Sequence, residues 1–190
     1  GAATGIGPLG QWKIGVKKES RKNLTHETKF ESESVILGLR GDQRNNRWLP
    51  YKGQFWKGEI NLGRWEDELG KTKVAEMDLR YSFYSQMDRG VFFWSMHGEG
   101  IWVDGRDLPL AKKVQFGGAS SLRGYHENQF GADWVIINTV EWIMGDLDRS
   151  QAFLFVDTPL TEGTTIKPGY GLGFRQYNGT LSLDIAAGFS

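Results

Sequence analysis

The stretch from Val74 to Met87 limits the fold more than any other part of the chain. Ala75, Met77, Leu79, Tyr81 and Phe83 recur at every second position, and Glu76, Asp78, Arg80, Ser82, Tyr84 and Gln86 fill most of the places between. A strand sends successive side chains to opposite faces, whereas a helix would scatter these charges around its circumference. The same alternation sets Trp12, Ile14 and Val16 against Gln11, Lys13 and Lys17, and Trp56, Ile60 and Leu62 against Lys57, Glu59 and Asn61. Near the end it sets Leu181, Leu183, Ile185 and Phe189 against Ser182, Asp184 and Gly188.

Extending this reading along the chain predicts nine strands, over 9–19, 28–41, 54–64, 73–86, 91–104, 133–145, 151–160, 169–177 and 181–189. Most are longer than the roughly five or six residues usual in soluble sheets. Their length suits a tilted strand crossing a bilayer, which takes about nine to eleven residues. Short connections at 87–90, 146–150 and 178–180 alternate with longer ones at 20–27, 65–72, 105–132 and 161–168, and the segment 42–53 breaks this rhythm. Short turns on one side and longer loops on the other are the habit of a transmembrane barrel. The 26 Gly, 8 Trp and 5 Pro fit sheets with tight turns. The chain has no run of apolar residues long enough for a transmembrane helix, which is no argument against a barrel.

Composition removes several functions. Lys+Arg and Asp+Glu are 23 each, so the basic excess of a nucleic-acid binder is missing. With no Cys there is no disulfide frame or thiolate metal site. His26, His97 and His126 lack ligand spacing. Gly169-x-Gly171-x-Gly173 precedes no helical pattern, Gly118 to Gly124 lacks the Lys-Ser/Thr of a phosphate loop, and no Ser sits in a nucleophile elbow. Paired acids such as Glu76 and Asp78 read as a charged wall rather than as acid/base catalysts. The expectation is a protein that is not an enzyme and needs no cofactor and no metal.

The longest loop carries Val114-Gln115-Phe116-Gly117-Gly118-Ala119-Ser120-Ser121-Leu122-Arg123-Gly124-Tyr125-His126-Glu127. Leu122 and Tyr125 are apolar in a segment that should be wet, so the loop is expected to fold back onto the strands. Arg123 between them then needs an acidic partner, because a buried guanidinium alone is costly.

Phe116 to Tyr125 resembles the inward-folded loop of the outer membrane protein 85 superfamily (bacterial surface antigen family), whose signature is Arg-Gly-Phe/Tyr, here Arg123-Gly124-Tyr125. That superfamily includes BamA-like and TamA-like assembly barrels and the transporters of two-partner secretion. The segments that follow resemble the family's later strands in order. They are Asn138-Thr139-Val140-Glu141, Ala152 to Asp157, Gly169 to Arg175 and Gly179 to Ala186. The likeness is sharp over about 114–188 and only architectural over 1–113.

The resemblance implies an all-β antiparallel meander of about nine long strands, part of a sixteen-stranded transmembrane β-barrel. It implies that 1–190 is a C-terminal portion of that barrel domain without a second domain, with seven strands before Gly1 and one after Ser190. Glu141 and Asp157 are the acids expected to hold Arg123, with Gly117, Gly118, Gly124 and Tyr125 shaping the loop. The implied function is insertion or translocation of other proteins at the outer membrane of a Gram-negative-type envelope. The implied partners are the lipid bilayer, client outer-membrane or secreted polypeptides, and upstream POTRA domains or accessory lipoproteins. A passive porin or structural barrel, the barrel of an outer-membrane lipase, and a soluble carbohydrate-binding sandwich are the alternatives.

Overall fold

The computed structural model describes residues 1–7, 10–22, 29–67, 70–146, 148–180 and 182–190. His26, Leu181 and most of the 20–27 connection lie outside the described residues. Ten strands form one antiparallel sheet: β1 (Ala2–Gly7), β2 (Gly10–Lys22), β3 (Lys29–Asp42), β4 (Gly53–Asp67), β5 (Gly70–Met87), β6 (Gly90–Val103), β9 (Trp134–Asp146), β10 (Ser150–Thr161), β11 (Gly169–Tyr177) and β12 (Ser182–Phe189). They follow one another in chain order across the sheet, and β1 and β12 are its two edges. Between β6 and β9 a short ribbon, β7 (Val114–Phe116) with β8 (Phe130–Ala132), and one 3-10 turn at Leu110–Lys112 interrupt the meander. No helix among the described residues is long and apolar enough to cross a membrane, which says nothing of crossing by strands.

The main sheet has ten strands, one more than the nine expected, and the β7–β8 ribbon adds two short ones. Ten here with seven before and one after would exceed the sixteen that the resemblance implies, so that count of outlying strands does not hold. Ala2–Gly7 pairs with β2 from Ala2↔Gly15 to Gly7↔Gly10. Its sequence of small residues carries no apolar alternation, so only the ladder of backbone hydrogen bonds reveals it. The expected long connection at 65–72 is also corrected. Trp65↔Thr72, Glu66↔Lys71 and Asp67↔Gly70 continue the β4–β5 ladder, and Gly70 turns the chain at φ 105°. At about 3.3 Å per residue, the 18 residues of β5 run roughly 60 Å, well beyond a tilted crossing of a ~30 Å hydrocarbon core.

Register fixes the two faces, because paired residues share a side. One face carries Lys13, Lys57, Glu59, Glu76, Asp78, Arg80, His97, Glu99, Glu141, Asp157 and Arg175. The other carries Trp12, Ile14, Leu37, Ile60, Leu62, Ala75, Met77, Leu79, Tyr81, Phe83, Val140, Leu154 and Leu172 in contiguous rows. On that apolar face Ile14, Leu62 and Leu172 are more than half exposed, a pattern that water would penalise and lipid would not. Trp12, Trp56 and Trp94 sit on it near the short-turn end, and Trp102 near the loop end.

The charged face is the covered one. A cluster of Val114, Phe116, Leu122, Ala132, Val135 and Ile137 packs the long loop onto it, with Ile101, Tyr125, Phe130 and Ile166 alongside. Leu108 joins Trp65 and Val74 in a second cluster, so the loop reaches over the wall as far as β4. At the short-turn end Val91, Phe93, Ile143, Phe153 and Phe155 form a third cluster.

Candidate functional site

The loop 105–132 carries its own internal pairing. Val114↔Ala132, Gln115↔Gly131 and Phe116↔Phe130 pair its two arms, satisfying backbone groups that would otherwise be buried bare. Sequence periodicity gave no sign of this ribbon, because three residues a side are too few to alternate. At its tip Gly118 N–H donates to Leu122 O at 3.0 Å and Ser121 N–H to Gly118 O at 3.2 Å. The Ser121 hydroxyl accepts from Gly117 N–H at 2.9 Å, and the Glu127 carboxylate from Ala119 N–H at 2.8 Å. This tight tip turns the Leu122 side chain, fully buried, and Arg123 toward the strands.

Arg123 lies between β9 and β10 and holds both acids. Its Nε and Nη2 donate to the two oxygens of Asp157 at 2.8 and 2.7 Å, the two-pronged geometry that suits a guanidinium. Its backbone N–H gives Asp157 a further bond at 3.1 Å, and the Thr139 hydroxyl another at 2.8 Å. Nη1 reaches Glu141 at 2.7 Å. The side chains of Asp157 and Glu141 are 0% and 1% exposed, and that of Arg123 is 13%. Burial alone would lower the Arg123 guanidinium pKa. The hydrogen bonds to Asp157 and the charge of Glu141 outweigh it and hold the group above its ordinary value.

The network extends to a residue whose pairing sequence reasoning missed. Arg175 of β11 donates to both oxygens of Glu141, at 2.8 and 3.0 Å, and its Nε to Asp184 of β12 at 2.8 Å. Two arginines thus share one buried glutamate. Phe155 lies 3.7 Å under Arg123, and Phe153 4.0 Å under Arg175, so aromatic faces cover what the carboxylates leave. Period-two parity already sets Arg175, Glu141, Phe153 and Phe155 on one face; the link between them needed the register.

Gly124 adopts φ 94°, and a Cβ there would stand 2.6 Å from the Phe189 carbonyl oxygen of β12. Only glycine lets the loop backbone lie this close to the edge strand. Tyr125 donates its hydroxyl to Lys167 O at 2.9 Å and meets the Phe130 ring edge-on at 5.1 Å. The loop therefore touches the wall from β4 to β12.

His97 meets two acids on the charged face. It has no ligand spacing in sequence, yet in space its Nε2 is 2.8 Å from Glu99 and 3.4 Å from Asp78, a grouping of metal-ligand types. Lys57 at 2.8 Å and Arg80 at 3.2 Å already supply Asp78 with cations, so the group is a charge-balanced ion-pair row. His126, in the loop, stands outside it.

No curated protein matches the chain in sequence. Among solved structures, CdiB from Acinetobacter baumannii is similar over 94% of this chain, with a TM-score of 0.62 at 18% identity. The chain spans about a third of that protein's length (34%), and the likeness is one of fold. Residues 11–150, which include the long loop and Glu141, match the Omp85 superfamily domain; the chain belongs to the Omp85 superfamily.

Proposed function

We propose that this chain is part of a larger outer-membrane β-barrel that inserts or translocates other polypeptides, and that the 105–132 loop is the latch of that barrel. The observation that carries this reading is Arg123 pinned to two fully buried acids on the covered face. A plain pore wall has no need to bury Glu141 and Asp157 and then neutralise them from a loop. The apolar outer face supports placement in a bilayer, and the open edges β1 and β12 support a longer sheet that closes the wall. Sixteen strands in all, upstream POTRA domains, and a Gram-negative-type envelope belong to the same proposal.

The work proposed is mechanical. We assign the chain no enzyme activity, a reading that its membership of the Omp85 superfamily supports. An edge strand freed at the seam would pair its backbone with an extended client segment, whose side chains then read the neighbouring pockets. The latch sets the shape of the wall while that happens. The test is a complete barrel carrying Arg123→Ala, scored for client insertion or secretion and for protease cleavage within 117–127. The proposal expects activity to fall and cleavage to rise together. Unchanged activity with unchanged cleavage would end it.

A further inference from the structure

The segment 43–52 does not behave like the other turns at its end of the sheet. At that end β5 and β6 are joined at 88–89, β9 and β10 across 147–149, and β11 and β12 across 178–181. The β3–β4 connection is much longer and carries its own set of hydrogen bonds. Asn46 Oδ1 accepts from Trp48 N–H at 2.9 Å and Leu49 N–H at 3.3 Å. Asn45 Oδ1 accepts from Tyr51 N–H at 3.1 Å and Lys52 N–H at 2.9 Å. Asp42 receives Nε and Nη2 of Arg44 at 2.8 and 2.6 Å. Two backbone bonds, Gln43 N–H to Gln54 O at 2.8 Å and Asn45 N–H to Lys52 O at 3.0 Å, carry the hairpin into the segment, and the side-chain bonds hold the part beyond.

The direction in which it points is the telling feature. Leu49 is 2% exposed and Pro50 is buried. Tyr51 packs against the Val91–Phe93–Ile143–Phe153–Phe155 cluster on the covered face. Trp48 stacks on Tyr177, with centroids 5.4 Å apart and planes at 17°. Tyr177 belongs to β11, five places from β4 in the sheet order. In a sheet, five spacings of about 4.8 Å separate such strands by roughly 24 Å. The turn therefore reaches across the hollow of the wall rather than lying along its rim.

We infer that segment 43–52 is a plug for the short-turn mouth of the barrel, held shut by the Trp48–Tyr177 stack and resting through Tyr51 on the Phe153–Phe155 floor of the Arg123 network. It rests on the reading of this chain as part of a barrel with a lumen. The charges of Arg175, Glu141 and Arg123 begin directly behind it, Arg175 two places along β11 from Tyr177. A polypeptide or ion entering from the short-turn side meets Trp48 first.

The experiment is single-channel conductance of the complete barrel in planar bilayers, with Trp48→Ala, Tyr177→Ala and the double variant. Retained heat-modifiable mobility in electrophoresis confirms a folded barrel in each. The inference expects either single substitution to raise conductance several-fold, and the double variant to do no more than the singles, because both remove one contact. Protection of the 117–127 segment from protease should stay as in the parent. Should Trp48→Ala not fold, the Tyr177→Ala arm and a Trp48→Cys/Tyr177→Cys pair bridged by a short bis-maleimide decide it. The bridged form must then conduct at the parent's low level, and the unbridged pair at a higher one. Conductance equal to the parent's in folded variants overturns the inference, as does a rise that appears only when the 117–127 segment is cleaved as well. Raised conductance in a barrel that moves no client leaves the plug standing and removes the proposed function instead.

Discussion

The wall formed by β2–β6 and the wall formed by β9–β12 carry similar side chains on the same face, yet they use them differently. In the first, Lys13–Glu59, Lys57–Asp78, Arg80–Asp78 and His97–Glu99 form ladders whose side chains remain about a quarter to a half exposed. In the second, Asp157 and Glu141 are fully buried, and Arg123 and Arg175 keep only 13% and 20% of their side chains exposed. What differs is the cover. The loop tip lies over β9–β12, and Phe153 and Phe155 floor it. Charge in an open wall is screened and each pair contributes little. Charge beneath the loop has no water to fall back on, so every group there depends on its partners.

That contrast breaks most sharply at Arg123. Arg123→Ala leaves Asp157 buried with one hydroxyl and one backbone N–H, and should cost about 3–5 kcal/mol, read from urea unfolding of the complete barrel. Glu141→Gln keeps the shape and removes the charge that two arginines share; the expected loss is about 1.5–3 kcal/mol by the same measurement. Gly124→Ala acts on the backbone alone. The φ of 94° and the approach to Phe189 make it strained by on the order of 1–3 kcal/mol, and protease should reach the loop sooner while the ion pairs persist. Lys57→Ala, in the open wall, should change stability by less than about 1 kcal/mol, and raised salt should shrink even that. A Lys57→Ala loss equal to that of Arg123→Ala would erase the distinction between the two walls.

Strand faces were legible because a period of two survives in any sheet with one apolar side. The alternation of Ala75 to Phe83 against Glu76 to Gln86 was enough to assign both sides of β5. Ala2–Gly7 was not legible, since small residues leave no alternation to read, and neither was the β7–β8 ribbon. Burial was the harder matter. Asp78 and Asp157 look alike in sequence, each an acid in a strand on the charged face. Only the course of a distant loop makes one wet and the other dry. The grouping of Arg123 with Glu141 and Asp157 came from a resemblance, not from spacing, and the part of Arg175 needed the register of β9, β10 and β11. The 42–53 segment stood out as a break in loop rhythm, but its inward course depends on Asn45 and Asn46 bonding to the local backbone. No periodicity encodes that.

The central claim is that the loop lies inside the barrel because Arg123 holds it there. This chain has no cysteine, so a single introduced thiol is a clean probe of these residues. Leu122 is fully buried, and Thr165, in the 162–168 connection, is exposed. The measurement is the rate at which a membrane-impermeant maleimide labels Leu122→Cys in intact cells, with Thr165→Cys as the reference. Labelling at least tenfold slower than the reference, rising toward it when Arg123→Ala is added, is the predicted result. Labelling of Leu122→Cys as fast as Thr165→Cys with Arg123 present would contradict it.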